Sequence, residues 1–87
     1  MKKNTIITFE NKKIKIPFDI LVDPTTAHEL ETVTNPFSKQ KAGIPKFAVA
    51  VYDVIKGAES LHQYKTVEKG LAWFSRKFPK QYMVLLD

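Results

Sequence analysis

Residues 45–61, PKFAVAVYDVIKGAESL, form the one stretch of this 87-residue chain apolar enough all round to lie at the centre of a small fold. Phe47, Val51, Val54, Ile55, Ala58 and Leu61 recur at helical spacing, and Ala48, Val49, Ala50 and Tyr52 make much of the remaining helix surface apolar. A helix that is hydrophobic on most sides needs cover on most sides. The segments before and after it must therefore supply that cover. Pro45 has its φ pre-set for a helix start, and Gly57 weakens the helix locally by about 1 kcal/mol relative to alanine.

Upstream, the pattern is that of strands. Residues 5–9 are rich in β-branched side chains, and after ENKK come Ile14, Ile16, Phe18, Ile20 and Val22 at every second position, with Lys15, Pro17, Asp19 and Asp23 between. Period two means one buried sheet face. Asn11-Lys12 is the expected two-residue hairpin turn, although the favoured Asn-Gly pair is absent. Pro17 cannot donate to a ladder, which puts its part of the strand at a sheet edge. Asp23 followed by Pro24 reads as a cap and first helical position for a short helix or turn over residues 24–31. Residues 32–34 favour extended structure, Asn35-Pro36 starts a turn, and residues 39–42 return as a second, short hairpin.

Downstream, Thr66 is the expected N-cap of a helix running to Lys77, with Val67, Leu71, Phe74 and Phe78 on its core face. Lys65, Lys69, Ala72, Arg76 and Lys80 fall on the opposite side, with Trp73 and Lys77 along one flank. Pro79 ends or kinks that helix, and a last turn or two returns Tyr82, Leu85 and Leu86 to the core. The expected architecture is one α+β domain over residues 1–87. An N-terminal hairpin or small antiparallel sheet packs on two to three C-terminal helices, the central one hydrophobic.

Composition narrows the chemistry. Hydrophobic residues at 44% and charged residues at 26% fit a folded chain. No apolar run reaches the ~18 residues of a membrane span. The start MKKNT is positive, but Glu10, Asn11, Lys12 and Lys13 interrupt the apolar segment a secretory leader needs, so the expected location is cytoplasmic. Without cysteine there is no disulfide framework, thiolate nucleophile or cysteine-rich zinc site. A domain this small buries only about 60% of its unfolded surface, so a homo-oligomer would help it.

Catalytic patterns are absent or broken. His28-Glu29-Leu30-Glu31 begins like the zinc-protease motif HExxH, but Thr32 stands where the second histidine is required. Gly43, Gly57 and Gly70 are too scattered for a phosphate loop, so no nucleotide or other cofactor is implied. His62 follows the central helix, where its positive form suits the helix dipole. Asp53 is the one carboxylate within the apolar helix, and its plain reading is a place on the narrow solvent edge beside Lys56. The expectation is a protein that is not an enzyme. A pocket holding Asp53 or His62 beside a second titratable group would reverse it. Asn35-Pro36-Phe37 matches a tripeptide bound by eukaryotic endocytic adaptor domains, but Asn-Pro is in the first place a strong turn former.

The net charge is +5, and 13 of the 14 basic residues are lysine. Lysine holds phosphate as a point charge, whereas the bidentate reading of bases belongs to arginine. The candidate working surface is the face carrying Lys65, Lys69, Trp73, Arg76, Lys77 and Lys80. Cations at helical spacing suit a phosphate backbone, and an exposed indole would stack on a base. The plain alternative is that these lysines solubilise an amphipathic helix while Trp73 packs at the core margin or in an oligomer contact. A helix-turn-helix is poorly supported, because residues 59–65 lack the small residue and glycine of a tight turn.

TNPFS (34–38), VAVYDVIKGAE (49–59), GLAWF (70–74), Pro79 and YMVLLD (82–87) together resemble small proteins common in bacteriophage genomes, for which no activity is established. These are packing and turn residues covering roughly the last 55 positions, so the resemblance implies a shared fold and a phage setting rather than a chemistry. The expectation that follows is a small non-catalytic phage-type accessory protein in the host cytoplasm. It would bind nucleic acid, or the host protein machinery that handles nucleic acid, through its basic helix face. The alternative is a protein-interaction or oligomer-forming module without nucleic-acid binding, in which Trp73 and the Pro17 edge meet the partner.

Overall fold

The computed structural model describes residues 2–3, 6–18, 20–23 and 25–86. Thr5, Asp19, Pro24 and Asp87, which carry parts of the expectations above, lie outside the described residues. Among the described residues, six short strands precede three helices: β1 (Lys2–Lys3), β2 (Ile6–Phe9), β3 (Lys12–Lys15), β4 (Leu21–Val22), β5 (Leu30–Thr34), β6 (Lys41–Pro45), α1 (Lys46–Ser60), α2 (Tyr64–Lys77) and α3 (Pro79–Leu85). The strands form three antiparallel pairs, β1 with β4, β2 with β3 and β5 with β6. The chain is thus α+β, with hairpins leading into helices.

The β2–β3 register pairs Ile7 with Ile14 and Phe9 with Lys12. That places the turn at Glu10-Asn11, one residue earlier than expected. Both residues have positive φ, 51° and 64°, the type I′ geometry whose twist matches the flanking strands. The Ile7–Ile14 pair is buried, and alternation continues past the end of β3 through Ile16, which is also buried. Pro17 sits in a bend beyond the ladder, where its missing N–H breaks no strand bond. Residues 25–29 make turns rather than a helix: Asp23 Oδ1 accepts from the Thr25 amide at 2.9 Å and its hydroxyl at 2.7 Å. These two bonds hold the Asp23 carboxyl below the usual range.

The β5–β6 hairpin runs from Leu30 opposite Pro45 to Thr34 opposite Lys41. Its loop is built by Asn35, which is buried. Asn35 Oδ1 accepts from the amides of Phe37 (2.8 Å) and Ser38 (3.3 Å), while Nδ2 donates to the Val84 carbonyl of α3 at 2.9 Å. Lys39 closes the loop with φ 65°. The Asn-Pro turn is therefore also a tether between hairpin and helix.

Pro45 both ends β6 and caps α1, so strand runs into helix without a linker. Phe47, Ala48, Val51, Tyr52, Ile55 and Ala58 are buried, as a helix apolar on most sides requires. Leu61, expected in that stripe, is exposed because α1 has already ended. The exit is a Schellman turn: the His62 amide donates to Glu59 and the Gln63 amide to Ala58, with His62 at φ 57° where glycine is usual.

Helix α2 starts at Tyr64 with Gln63 as N-cap, not at Thr66. It approaches α1 closely at Gly70, where a Cβ would stand 2.4 Å from Ile55 Cγ1 and 3.3 Å from Phe18 Cζ. Any larger residue there must push α1 and α2 apart or displace Ile55. Pro79 opens α3 at its first position, and Leu85 is buried while Tyr82 and Leu86 are half-buried. The core is closed by edge-to-face and tilted aromatic pairs, Phe9–Phe47 at 5.5 Å, Phe47–Phe78 at 6.0 Å and Trp73–Phe78 at 5.9 Å. Such pairs add about 0.5–1.5 kcal/mol each beyond area burial. They join the first hairpin, α1, α2 and the α2–α3 corner.

Candidate functional site

Trp73 decides how the basic face must be read. It is only 3% exposed, and its Nε1–H donates to the Lys15 carbonyl at 2.7 Å. A buried indole whose N–H is already bonded cannot stack on a base, so the expected stacking role is corrected. The same burial makes Trp73 a core residue rather than the centre of a partner contact. Its position on the α2 flank left it either inward or outward, and docking of the first hairpin settled it inward.

That bond ties the end of β3 to α2, and two clefts open beside the junction. The larger, about 600 Å³, is lined by Lys12 and Lys13 of the first hairpin and by Arg76, Lys77 and Lys80 of the helices, together with Phe9, Leu30 and Pro79 and the margins of the buried Ile14, Pro45 and Phe78. The smaller, about 430 Å³, adds Lys15 and Lys69 and has Ile16, Pro17 and Trp73 in its lining. Arg76 and Lys77 belong to both. Seven of the 14 basic residues thus border the two clefts, against a single carboxylate, Glu10. Positive walls around a low-dielectric recess concentrate the local field more than the same charges spread on a convex surface.

Four of the expected residues, Lys69, Arg76, Lys77 and Lys80, are brought together, while Lys65 is exposed but lines neither cleft. Lys69 Nζ also sits 5.7 Å from the Phe18 ring centroid, a cation–π distance. Lys12, Lys13 and Lys15 were missed. Their signal was the run KKIK, in which charges flank one buried isoleucine, but only the tertiary bond from Trp73 shows that this strand faces the end of α2.

The carboxylates are arranged elsewhere. The ion pairs among the described residues are Lys46–Glu29 at 3.2 Å and Lys56–Glu59 at 3.5 Å, and neither uses a cleft cation. Lys56 pairs with Glu59 rather than Asp53, and its ammonium lies 5.6 Å from the Tyr52 ring centroid. Asp53 is exposed on the solvent edge of α1, with its carboxyl pushed up by partial burial and then by Glu31. His62 Nδ1 is hydrogen-bonded to Tyr64 Oη at 2.7 Å in the exposed α1–α2 turn. Neither Asp53 nor His62 lines either cleft. Among the described residues, no three His, Asp or Glu side chains are grouped to hold a metal ion, and no helix is long and apolar enough to cross a membrane.

Comparison with known proteins finds no matching family model, no similar curated protein and no similar solved structure. A functional reading therefore stands on the clefts themselves.

Proposed function

We propose that this protein is a small non-catalytic accessory protein that binds the sugar–phosphate backbone of a nucleic acid along its paired basic clefts. The observation that supports it is the meeting of Lys12, Lys13 and Lys15 of β3 with Lys69, Arg76, Lys77 and Lys80 around two recesses that share Arg76 and Lys77. Point charges from lysine neutralise phosphates and release counterions, which supplies affinity without sequence information. A single arginine leaves little capacity for reading base edges. The phage setting rests on the resemblance of the 34–38, 49–59, 70–74 and 82–87 segments.

Titration of the protein against single-stranded DNA, duplex DNA and RNA at two salt concentrations tests the proposal. Affinity should fall with salt, with a slope of about 0.7 to 0.9 per phosphate neutralised. Arg76→Glu combined with Lys77→Glu should abolish binding from both clefts at once. Absence of binding at low salt, or binding indifferent to that double reversal, overturns the proposal.

A protein-interaction module is the second reading, and it now rests on a different residue. Phe37 is 88% exposed at the tip of a loop held by Asn35. A large apolar side chain presented on an ordered turn suits a partner pocket.

A further inference from the structure

Resting on the backbone-binding reading, we infer that the ligand is a single strand with at least one base seated in the larger cleft, and not a duplex. Two features lead there. First, the cations stand around recesses. Proteins that read duplex DNA push a helix or ribbon outward into a groove. Here Lys69, Arg76 and Lys77 of α2 border a recess together with Lys15, Ile16 and Pro17, and a thin flexible strand can lie along such a concave surface. Secondly, the larger cleft is not uniformly polar. Beside Lys12, Lys13, Arg76, Lys77 and Lys80 it is lined by Leu30, which is exposed, and Phe9, which is half-buried. Phosphates need only the cations, which leaves this apolar part of the lining for another part of the ligand. Such a lining matches the apolar faces of bases, and a duplex keeps those faces stacked away from the protein.

Leu30 is the residue to vary, because it is 71% exposed yet belongs to the cleft, so truncation leaves the core intact. Three probes are compared with the full chain at one low salt concentration: an oligothymidylate of about 12 nucleotides, a duplex of equal length, and an abasic strand of equal length. The oligothymidylate should bind at least about tenfold tighter than the abasic strand, since stacking of a single base contributes on that scale. It should also outbind the duplex. Leu30→Ser should weaken the oligothymidylate severalfold and leave the abasic strand unchanged. Equal binding of abasic and thymidylate strands, or a duplex bound as tightly as the strand, overturns the single-strand inference while the backbone reading stands. Failure of all three probes to bind overturns both.

Discussion

The two long hairpins are tied to the helices by the same kind of bond run in opposite directions. In β2–β3 the hairpin offers the acceptor, the Lys15 carbonyl, and the helix supplies the donor, Trp73 Nε1–H. In β5–β6 the hairpin offers the donor, Asn35 Nδ2–H, and the helix supplies the acceptor, the Val84 carbonyl. Their turns differ as well. The first makes its two-residue turn with Glu10 and Asn11 in the left-handed region, whereas the second has Asn35 bonding two loop amides. The difference shows where each hairpin's order comes from. β2–β3 depends on its helix partner and gains from it the basic walls of the clefts. β5–β6 is braced internally and passes directly into α1 through Pro45.

Trp73→Phe probes this contrast with the largest expected effect. It removes the donor to Lys15 and leaves a space under β3, costing about 3 kcal/mol from the lost bond and packing together. Hydrogen exchange should show β2–β3 amides losing protection well before those of β5–β6. If both hairpins loosen together, the independence drawn between them is wrong. Asn35→Ala should cost about 2 kcal/mol, because it strands the Val84 carbonyl and two loop amides. Its loss of protection should appear at the loop and in α3 while β2–β3 is spared. The smallest effect has the opposite sign. Glu10→Asn with Asn11→Gly installs residues suited to the type I′ turn and should stabilise by about 1 kcal/mol, read as a higher midpoint in urea at unchanged slope. No gain would mean that the first turn is already held by something other than its backbone preference.

Much of this fold was legible in local pattern. Alternation through Ile14 and Ile16, the Asn35-Pro36 turn, the all-round apolarity after Pro45 and the break at Pro79 each express a backbone preference that needs no distant partner. The misreadings fall where a distant partner decides. The first turn lies one residue early because the Ile7–Ile14 pair fixes the register, overriding the usual preference for asparagine in the first turn position. Gln63, not Thr66, caps α2, three residues earlier than expected, because the Schellman turn at His62 and Gln63 passes straight into the new helix. Trp73 is ambiguous on a helical wheel and becomes core only when β3 docks. For the candidate site, half of the wall was visible as helical spacing from Lys69 to Lys80. The other half, on β3, was hidden because strand and helix are nearly 60 residues apart in sequence, with Lys15 and Trp73 separated by 58 positions.

Gly70 sets the roll of α2 about its own axis, and with it the aim of the charges further along. At about 100° per residue, Lys77 falls within about 20° of Gly70's direction, two turns on. The side of α2 that meets Ile55 at Gly70 thus carries Lys77 two turns on, where it borders both clefts. A side chain forced in at Gly70 would act as a wedge near a pivot. The displacement would be felt at the far end of the lever, where Arg76 and Lys77 face the lysines of β3, so the spacing of the cationic walls is governed from a position that no ligand touches.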